Sequence, residues 1–339
     1  MTKSPNNEPL FEAFLNQHDE KAWSEVVAAL LPSIHPVDKT ATLIWFKFYP
    51  LSLHRALTQA EDPAQLAGKL LLTGRFELKD QIDSSHAFLY GHRYWPAVKR
   101  ALEAFAGGAR APESLELAAQ ILDIARDISF QIRVPETLIV GITAVAFMTL
   151  QQVGLSLFKG APGKVHIDPK RLTKTPEEVL KQRARDNSQG VLGFLRGEKR
   201  YTVTFNENDK SARFPLISSQ ELATAAAFDK RDYRSRDARC VDGEGPIPVE
   251  CRAASCGSCW VGILGGAEKL SDVGPRESKR IKEFGYIDTE EPKPLIRLAC
   301  QAKAYGAVSI VIPPWNGFYG RHLRDQKDAT ADTQETSNR

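Results

Sequence analysis

The chain has 339 residues, enough for two domains, and its 42% hydrophobic and 26% charged composition, with a mean hydropathy of -0.32, is that of an ordinary water-soluble globular protein. A net charge of +3 is too small to point to nucleic acid, and the basic excess is concentrated in residues 159–200. The opening MTKSPNNEPLFEAF lacks the basic-then-apolar pattern of a secretory leader, and four of the five cysteines share one ligand pattern. A disulfide framework is therefore not expected, and the cytoplasm is the expected compartment.

Residues 20–158 read as helical. In KAWSEVVAALL, Trp23, Val26, Val27 and Leu30 recur at spacings of three and four, one face of a helix. The aromatic stretch 42–57 (TLIWFKFYPLSLHRAL) is interrupted by Pro50, which predicts a kink or split. A second aromatic segment spans 86–105, with Pro96 placed for a helix start. After Gly107 and Gly108, Pro112 opens a patterned helix through Leu115, Leu117, Ile121, Leu122 and Ile128.

Residues 137–158 (TLIVGITAVAFMTLQQVGLSLF) carry no charge over a length that could cross a bilayer. Gln151 and Gln152 would be costly in lipid, and the basic run that follows would require export of the preceding region without a leader. A buried core helix is the expectation; membrane contact through this segment or through the basic linker is the alternative. Residues 159–198 read as that linker, with a short helix opening at Thr175-Pro176-Glu177-Glu178: an N-cap, a proline at N1 and acids in the first turn. This helix is expected to fade near residues 187–190. Residues 201–205 (YTVTF) have strand character, and the polar tail 321–339 reads as disordered.

The chemistry sits further on. Cys251, Cys256 and Cys259 stand in C-x4-C-x2-C, with Cys300 well downstream, the spacing that supplies four thiolates to a plant-type 2Fe–2S cluster. The loop's small residues (Ala253, Ala254, Ser255, Gly257, Ser258) let backbone N–H groups turn toward the sulfurs. Four cysteines also suit tetrahedral zinc, but zinc sites usually pair two short C-x2-C knuckles, whereas three ligands share one loop here.

Over residues 199–315 the sequence resembles the plant-type ferredoxin family, including ferredoxin-like modules fused into larger oxidoreductases. PVECRAASCGSCWVGILGG is similar to that family's cluster loop, strand and glycine turn, and LIRLACQAKAYGAVSIVIP to its closing segment. Residues 276–284 fit the short helix between them, while 201–205 and 219–228 fit the opening strand and helix of a β-grasp fold. The resemblance implies Cys251, Cys256, Cys259 and Cys300 as ligands of one 2Fe–2S cluster, and redox proteins as partners. The chain departs from the family in a charged insertion at 229–248 (DKRDYRSRDARCVDGEGPIP), which contains Cys240. Cys240 reads as a spectator, with a redox-sensitive thiol as the alternative. Arg231, Arg234, Arg236 and Arg239 form either a solvated loop or a docking surface.

His35, His54, His86 and His92 lie among Trp45, Tyr49, Tyr90, Tyr94 and Trp95, a pattern of packed core more often than of a haem or pigment pocket. No G-x-G-x-x-G loop, P-loop or G-x-S-x-G elbow is present, so no organic substrate is expected to be oxidised by this chain alone. The reading is thus an α+β protein: an all-α domain at 1–158, the linker at 159–198, a β-grasp ferredoxin-like domain at 199–320 and the tail. It is expected to move single electrons as a carrier or subunit of a partner oxidoreductase, with the helical domain used for docking. The alternatives are a redox-sensing scaffold, or a catalytic helical domain fed by the cluster.

Overall fold

The computed structural model describes residues 10–107, 116–185, 198–284 and 293–317. The helix start expected at Pro112, the fading of the linker helix near 187–190 and the tail at 321–339 lie outside the described residues. The chain forms two compact units, one from residues 1–56 and 77–179, the other from 57–76 and 180–339. In chain order the first part runs α1 (Leu10–Asn16), α2 (Glu20–Leu30), α3 (Pro36–Phe48), α4 (Leu51–Gln59), α5 (Pro63–Lys69), β1 (Thr73–Gly74), α6 (Trp95–Ala106), α7 (Leu117–Ile132), α8 (Thr137–Gly160), α9 (Pro169–Leu172) and α10 (Pro176–Ala184).

Local chemistry sets the ends of these helices. Asp19 caps α2 by accepting the Ala22 N–H at 2.8 Å. Pro50 falls between α3 and α4, where a missing N–H and a fixed φ end one helix and let another begin. Thr175 and Glu178 close a capping box on α10, the Thr175 N–H donating to Glu178 Oε2 at 2.8 Å and the Glu178 N–H to Thr175 Oγ1 at 3.2 Å.

The apolar α8 is the core of the first unit, with 94% of its most apolar window buried there. Ile139, Val140, Ile142, Val145, Phe147 and Leu150 are fully enclosed. Each such side chain contributes about 1.5–3 kcal/mol of transfer free energy. The two glutamines that would burden a lipid-facing helix are satisfied by protein groups. Gln151 accepts the Trp23 indole N–H and donates to the carbonyls of Leu15 (2.7 Å) and His18 (2.9 Å), and Gln152 donates to that of Tyr49 at 2.8 Å. The uncharged segment is thus spent on core packing. The helix is kinked at Gly154, beyond which Glu12 accepts the Leu155 N–H at 3.1 Å.

The second unit adds β2 (Arg200–Thr204), β3 (Arg213–Ile217), β4 (Gln220–Glu221), α11 (Leu222–Ala226), β5 (Trp260–Gly265), α12 (Pro275–Phe284), β6 (Ile296–Leu298), β7 (Lys303–Ala304), β8 (Val308–Val311) and β9 (Trp315–Asn316). A five-stranded mixed sheet runs β3-β2-β8-β5-β6, with β2 and β8 parallel and the other neighbours antiparallel, the arrangement of a β-grasp. Tyr201 and Val203 on β2, and Phe214 and Leu216 on β3, alternate inward as the strand period requires. With the helices before it, the sheet makes the fold α+β.

Two segments from outside 199–320 complete this unit. Residues 57–76 join it because β1 pairs with β9, Thr73 opposite Asn316 and Gly74 opposite Trp315. The end of α10 is held by Arg183, buried against Glu207 through Nε (2.8 Å) and Nη2 (3.0 Å), while the Ser309 hydroxyl donates to the same carboxylate at 2.7 Å.

Candidate metal centre

The fold solves the problem of bringing Cys300 to the loop through strand register. In the β5–β6 ladder Trp260 stands opposite Leu298, so Cys259, just before β5, meets the residues just after β6. The Ala299 N–H donates to the Cys259 carbonyl at 2.8 Å, and the thiols of Cys259 and Cys300 are in hydrogen-bond contact. On the loop itself, Cys251 and Cys256 form a second thiol pair. Among the described residues no three His, Cys, Asp or Glu side chains converge on a single point. Cys259 thus neighbours Cys300, and Cys251 neighbours Cys256.

The loop backbone is shaped to face them. Arg252 (φ 51°), Ala254 (φ 55°) and Gly257 (φ 67°) take left-handed conformations, strained for the first two, which turn successive N–H groups toward one concavity. The N–H groups of Ser255 and Ala253 donate to Cys251 Sγ at 3.2 and 3.4 Å, and the Ala254 N–H reaches Cys300. The Ser258 hydroxyl lies 3.0 Å from Cys256 Sγ and its oxygen accepts the Glu250 N–H at 3.1 Å; once Cys256 is a thiolate, only the hydroxyl can donate in that contact.

The electrostatics follow. Burial works against a thiolate at Cys251, but the N–H groups of Ala253, Ser255 and Cys256 and the Cys256 thiol outweigh it and lower its pKa to about 7. Within the inner pair, the hydrogen bond from Cys259 lowers Cys300 and the same bond raises Cys259, so the two share one proton. An adjacent cation would release that proton and draw all four sulfurs as thiolates. Cys259 and Cys300 are buried, whereas Cys251 and Cys256 are half-buried under the exposed Arg252 and Ser255. Trp260, following Cys259, meets Trp315 edge-to-face with ring centroids 5.4 Å apart.

Residues 228–305 match the family model of the 2Fe-2S iron-sulfur cluster binding domain. The C-terminal part of this chain carries that domain. The match covers the insertion and all four cysteines, and the family binds a 2Fe–2S cluster and transfers electrons. The N-terminal region is outside it. No curated protein and no solved structure matches the chain.

The other sequence candidates fall elsewhere. Cys240 is buried, its thiol donates to the Pro246 carbonyl at 3.5 Å, and burial raises its pKa to about 11, so it is held as a packed thiol. Arg231 is clamped to Asp229 and to the carbonyls of Ser211 and Arg213, and Arg239 is buried against Asp237 and the Pro313 carbonyl. Only Arg234 and Arg236 of the four arginines stand exposed without such a clamp. In the first unit, His86 and His92 are buried with their Nδ1 atoms 2.8 Å apart, and His86 packs on Trp95. The Tyr90 and Gly91 N–H groups donate to the buried Asp38 carboxylate.

Sequence reasoning passed over Glu277 and Arg297. Their side chains are almost completely buried, joined by two bonds of 2.8 Å, and Glu277 also accepts the Leu298 N–H at 2.9 Å. The pair fixes α12 to β6 three residues before Cys300. Its only trace in the sequence is a charged residue inside an otherwise apolar strand, LIRLAC.

Proposed function

We propose that this chain is a one-electron transfer protein, acting as a carrier or electron-transfer subunit for a partner oxidoreductase, with Cys251, Cys256, Cys259 and Cys300 holding one 2Fe–2S cluster. The observation that carries this reading is the loop whose N–H groups converge on Cys251 Sγ, within the stretch that matches the 2Fe-2S domain and holds all four cysteines. When bound, the cluster supplies a one-electron couple, at a negative potential for an all-thiolate ligand set. The chain's own residues do the rest. The N–H groups of Ala253, Ala254 and Ser255 and the Ser258 hydroxyl stabilise negative charge on sulfur. The half-buried Cys251 and Cys256 leave the Arg252 and Ser255 face as the approach for a redox partner.

The first unit is assigned to docking, since its histidines and aromatic residues are spent on internal packing and it carries no dinucleotide or phosphate loop. The burial of Cys240 weighs against a sensor that works through that thiol.

Reconstitution tests the central claim. Iron- and sulfide-loaded protein, reduced with dithionite, is expected to give the low-temperature EPR signal of a spin-½ centre with two irons per chain; a silent spectrum from loaded protein would sink it. Cross-links between the full chain and its co-purifying oxidoreductase are expected in residues 10–56 and 77–179. Cross-links confined to residues 198–317 would remove the docking role.

A further inference from the structure

A cavity of about 630 Å³ lies against the cysteine loop, built wholly within the second unit. Gly74 and Arg75 line it from β1 and its flank, Arg236 and Arg239 from the insertion, Ser258 from the cysteine loop and Asn316 from β9. Three arginines thus face two acids, Asp237 and Glu250, and Asp237 is already gripped by Arg239 through Nε at 2.9 Å. The Arg239 side chain is only 8% exposed, its Nη2 donates to the Pro313 carbonyl at 2.8 Å, and its Nη1 is buried with no partner. That N–H is enclosed, so the arginines open to a molecule in the cavity are the exposed Arg75 and Arg236.

The backbone is shaped around the Arg239 guanidinium. Gly74 sits at φ +88°, and a Cβ there would lie 2.5 Å from the Pro314 carbonyl oxygen and 2.8 Å from Arg239 Cδ. The cavity wall also leads to the thiols. The Thr73 hydroxyl donates to Asn316 Oδ1, Asn316 Nδ2 donates to the Ser258 carbonyl at 2.7 Å, and the Ser258 hydroxyl meets Cys256 Sγ at 3.0 Å.

We propose that this cavity binds a small oxyanion-bearing molecule, a phosphate or a polycarboxylate, on Arg75 and Arg236 beside the wall formed by Arg239, and that its occupancy is linked to the redox state of the cluster through Ser258. A bound anion on the Ser258 side of the loop disfavours an added electron, so the oxidised protein binds the anion more tightly and the anion lowers the midpoint potential; the two effects are one coupling free energy. The coupling rests on the cluster reading above. The binding does not.

The test uses the full chain with two probes, inorganic pyrophosphate and tricarballylate, to separate the phosphate and carboxylate sources at constant ionic strength. Calorimetry is expected to show saturable one-to-one binding of at least one probe, on iron-free and loaded protein alike. The variant Arg75→Gln/Arg236→Gln, altered only at exposed side chains, is expected to bind at least about tenfold more weakly. In EPR-monitored redox titrations the bound probe is expected to lower the midpoint of the wild type, a tenfold affinity difference between redox states corresponding to about 59 mV. No saturable binding, an equal response to chloride, wild-type affinity in the double variant, or an unshifted midpoint at saturation each overturns the proposal. A cluster that fails to assemble sinks the functional reading instead, while anion binding stays measurable on the iron-free chain.

Discussion

Glu277→Gln is the substitution from which the structure predicts most. The native carboxylate receives three donors: Arg297 Nε and Nη2 at 2.8 Å each, and the Leu298 N–H at 2.9 Å. Glutamine offers one oxygen and turns an NH2 toward the guanidinium, so at least one buried donor loses its partner and the Arg297 charge loses its counter-ion. Arg297 keeps only its bonds to the Ser271 and Asp272 carbonyls, at 2.7 and 3.4 Å. An uncompensated buried charge of this kind costs about 3–5 kcal/mol, about a fifth or more of the roughly 5–15 kcal/mol that holds a domain together. Because the pair sits just ahead of Cys300, the loss is expected to fall on the cysteine site. Urea unfolding followed by the visible absorbance of loaded protein, beside far-UV circular dichroism, measures it. Glu277→Leu/Arg297→Met, which removes both charges, is expected to recover most of the stability. A single-variant loss below about 1 kcal/mol, or a double variant no better than the single, would refute the reasoning.

Three further outcomes are expected. Burial holds His92 at about 4 against an ordinary 6.5, and burial followed by the neighbouring His92 lowers His86. The unfolded chain therefore binds more protons between those values; the first unit has its full stability above pH 6.5 and loses roughly 3 kcal/mol from His92 as the pH falls toward 4. Urea midpoints at pH 7.5 and 5 check this, and His92→Gln should reduce the difference, leaving the part that comes from His86. Ser258→Ala removes the hydroxyl beside Cys256 Sγ, which favours the more negative reduced state, and should lower the midpoint potential by roughly 40 mV, the equivalent of about 1 kcal/mol; an unchanged or raised potential would discount the bond. Gly245→Ala would place a Cβ 2.0 Å from the Ala226 carbonyl oxygen at a φ of +83°, so the insertion must lift from α11. Faster cluster loss at unchanged helical content is expected, and a variant that retains iron like the wild type would show that the insertion does not brace the site.

Much of this protein is written in short-range patterns. The C-x4-C-x2-C spacing, the capping box at Thr175, the break at Pro50 and the strand alternation at 201–205 are legible because each needs only neighbours in sequence, a few bonds or one helical or strand period. The uncharged stretch at 137–158 was legible as a helix, and its two glutamines pointed to a core helix, but its apolar residues could not separate the two settings, because a lipid tail and a leucine side chain are equally apolar. The choice was made by the partners of Gln151 and Gln152, Trp23, Leu15, His18 and Tyr49, which lie far away along the chain. What only the tertiary structure decided is of the same kind. Residues 57–76 belong with the sheet because Thr73 and Gly74 find their ladder partners at Asn316 and Trp315. Arg239 is a wall and not a solvated charge because Gly74 makes room for it, and Cys300 meets Cys259 through the register of β5 and β6. Spacing along the chain names the donors of a site; strand pairing and burial, which join residues distant in sequence, decide which of them meet and in what field.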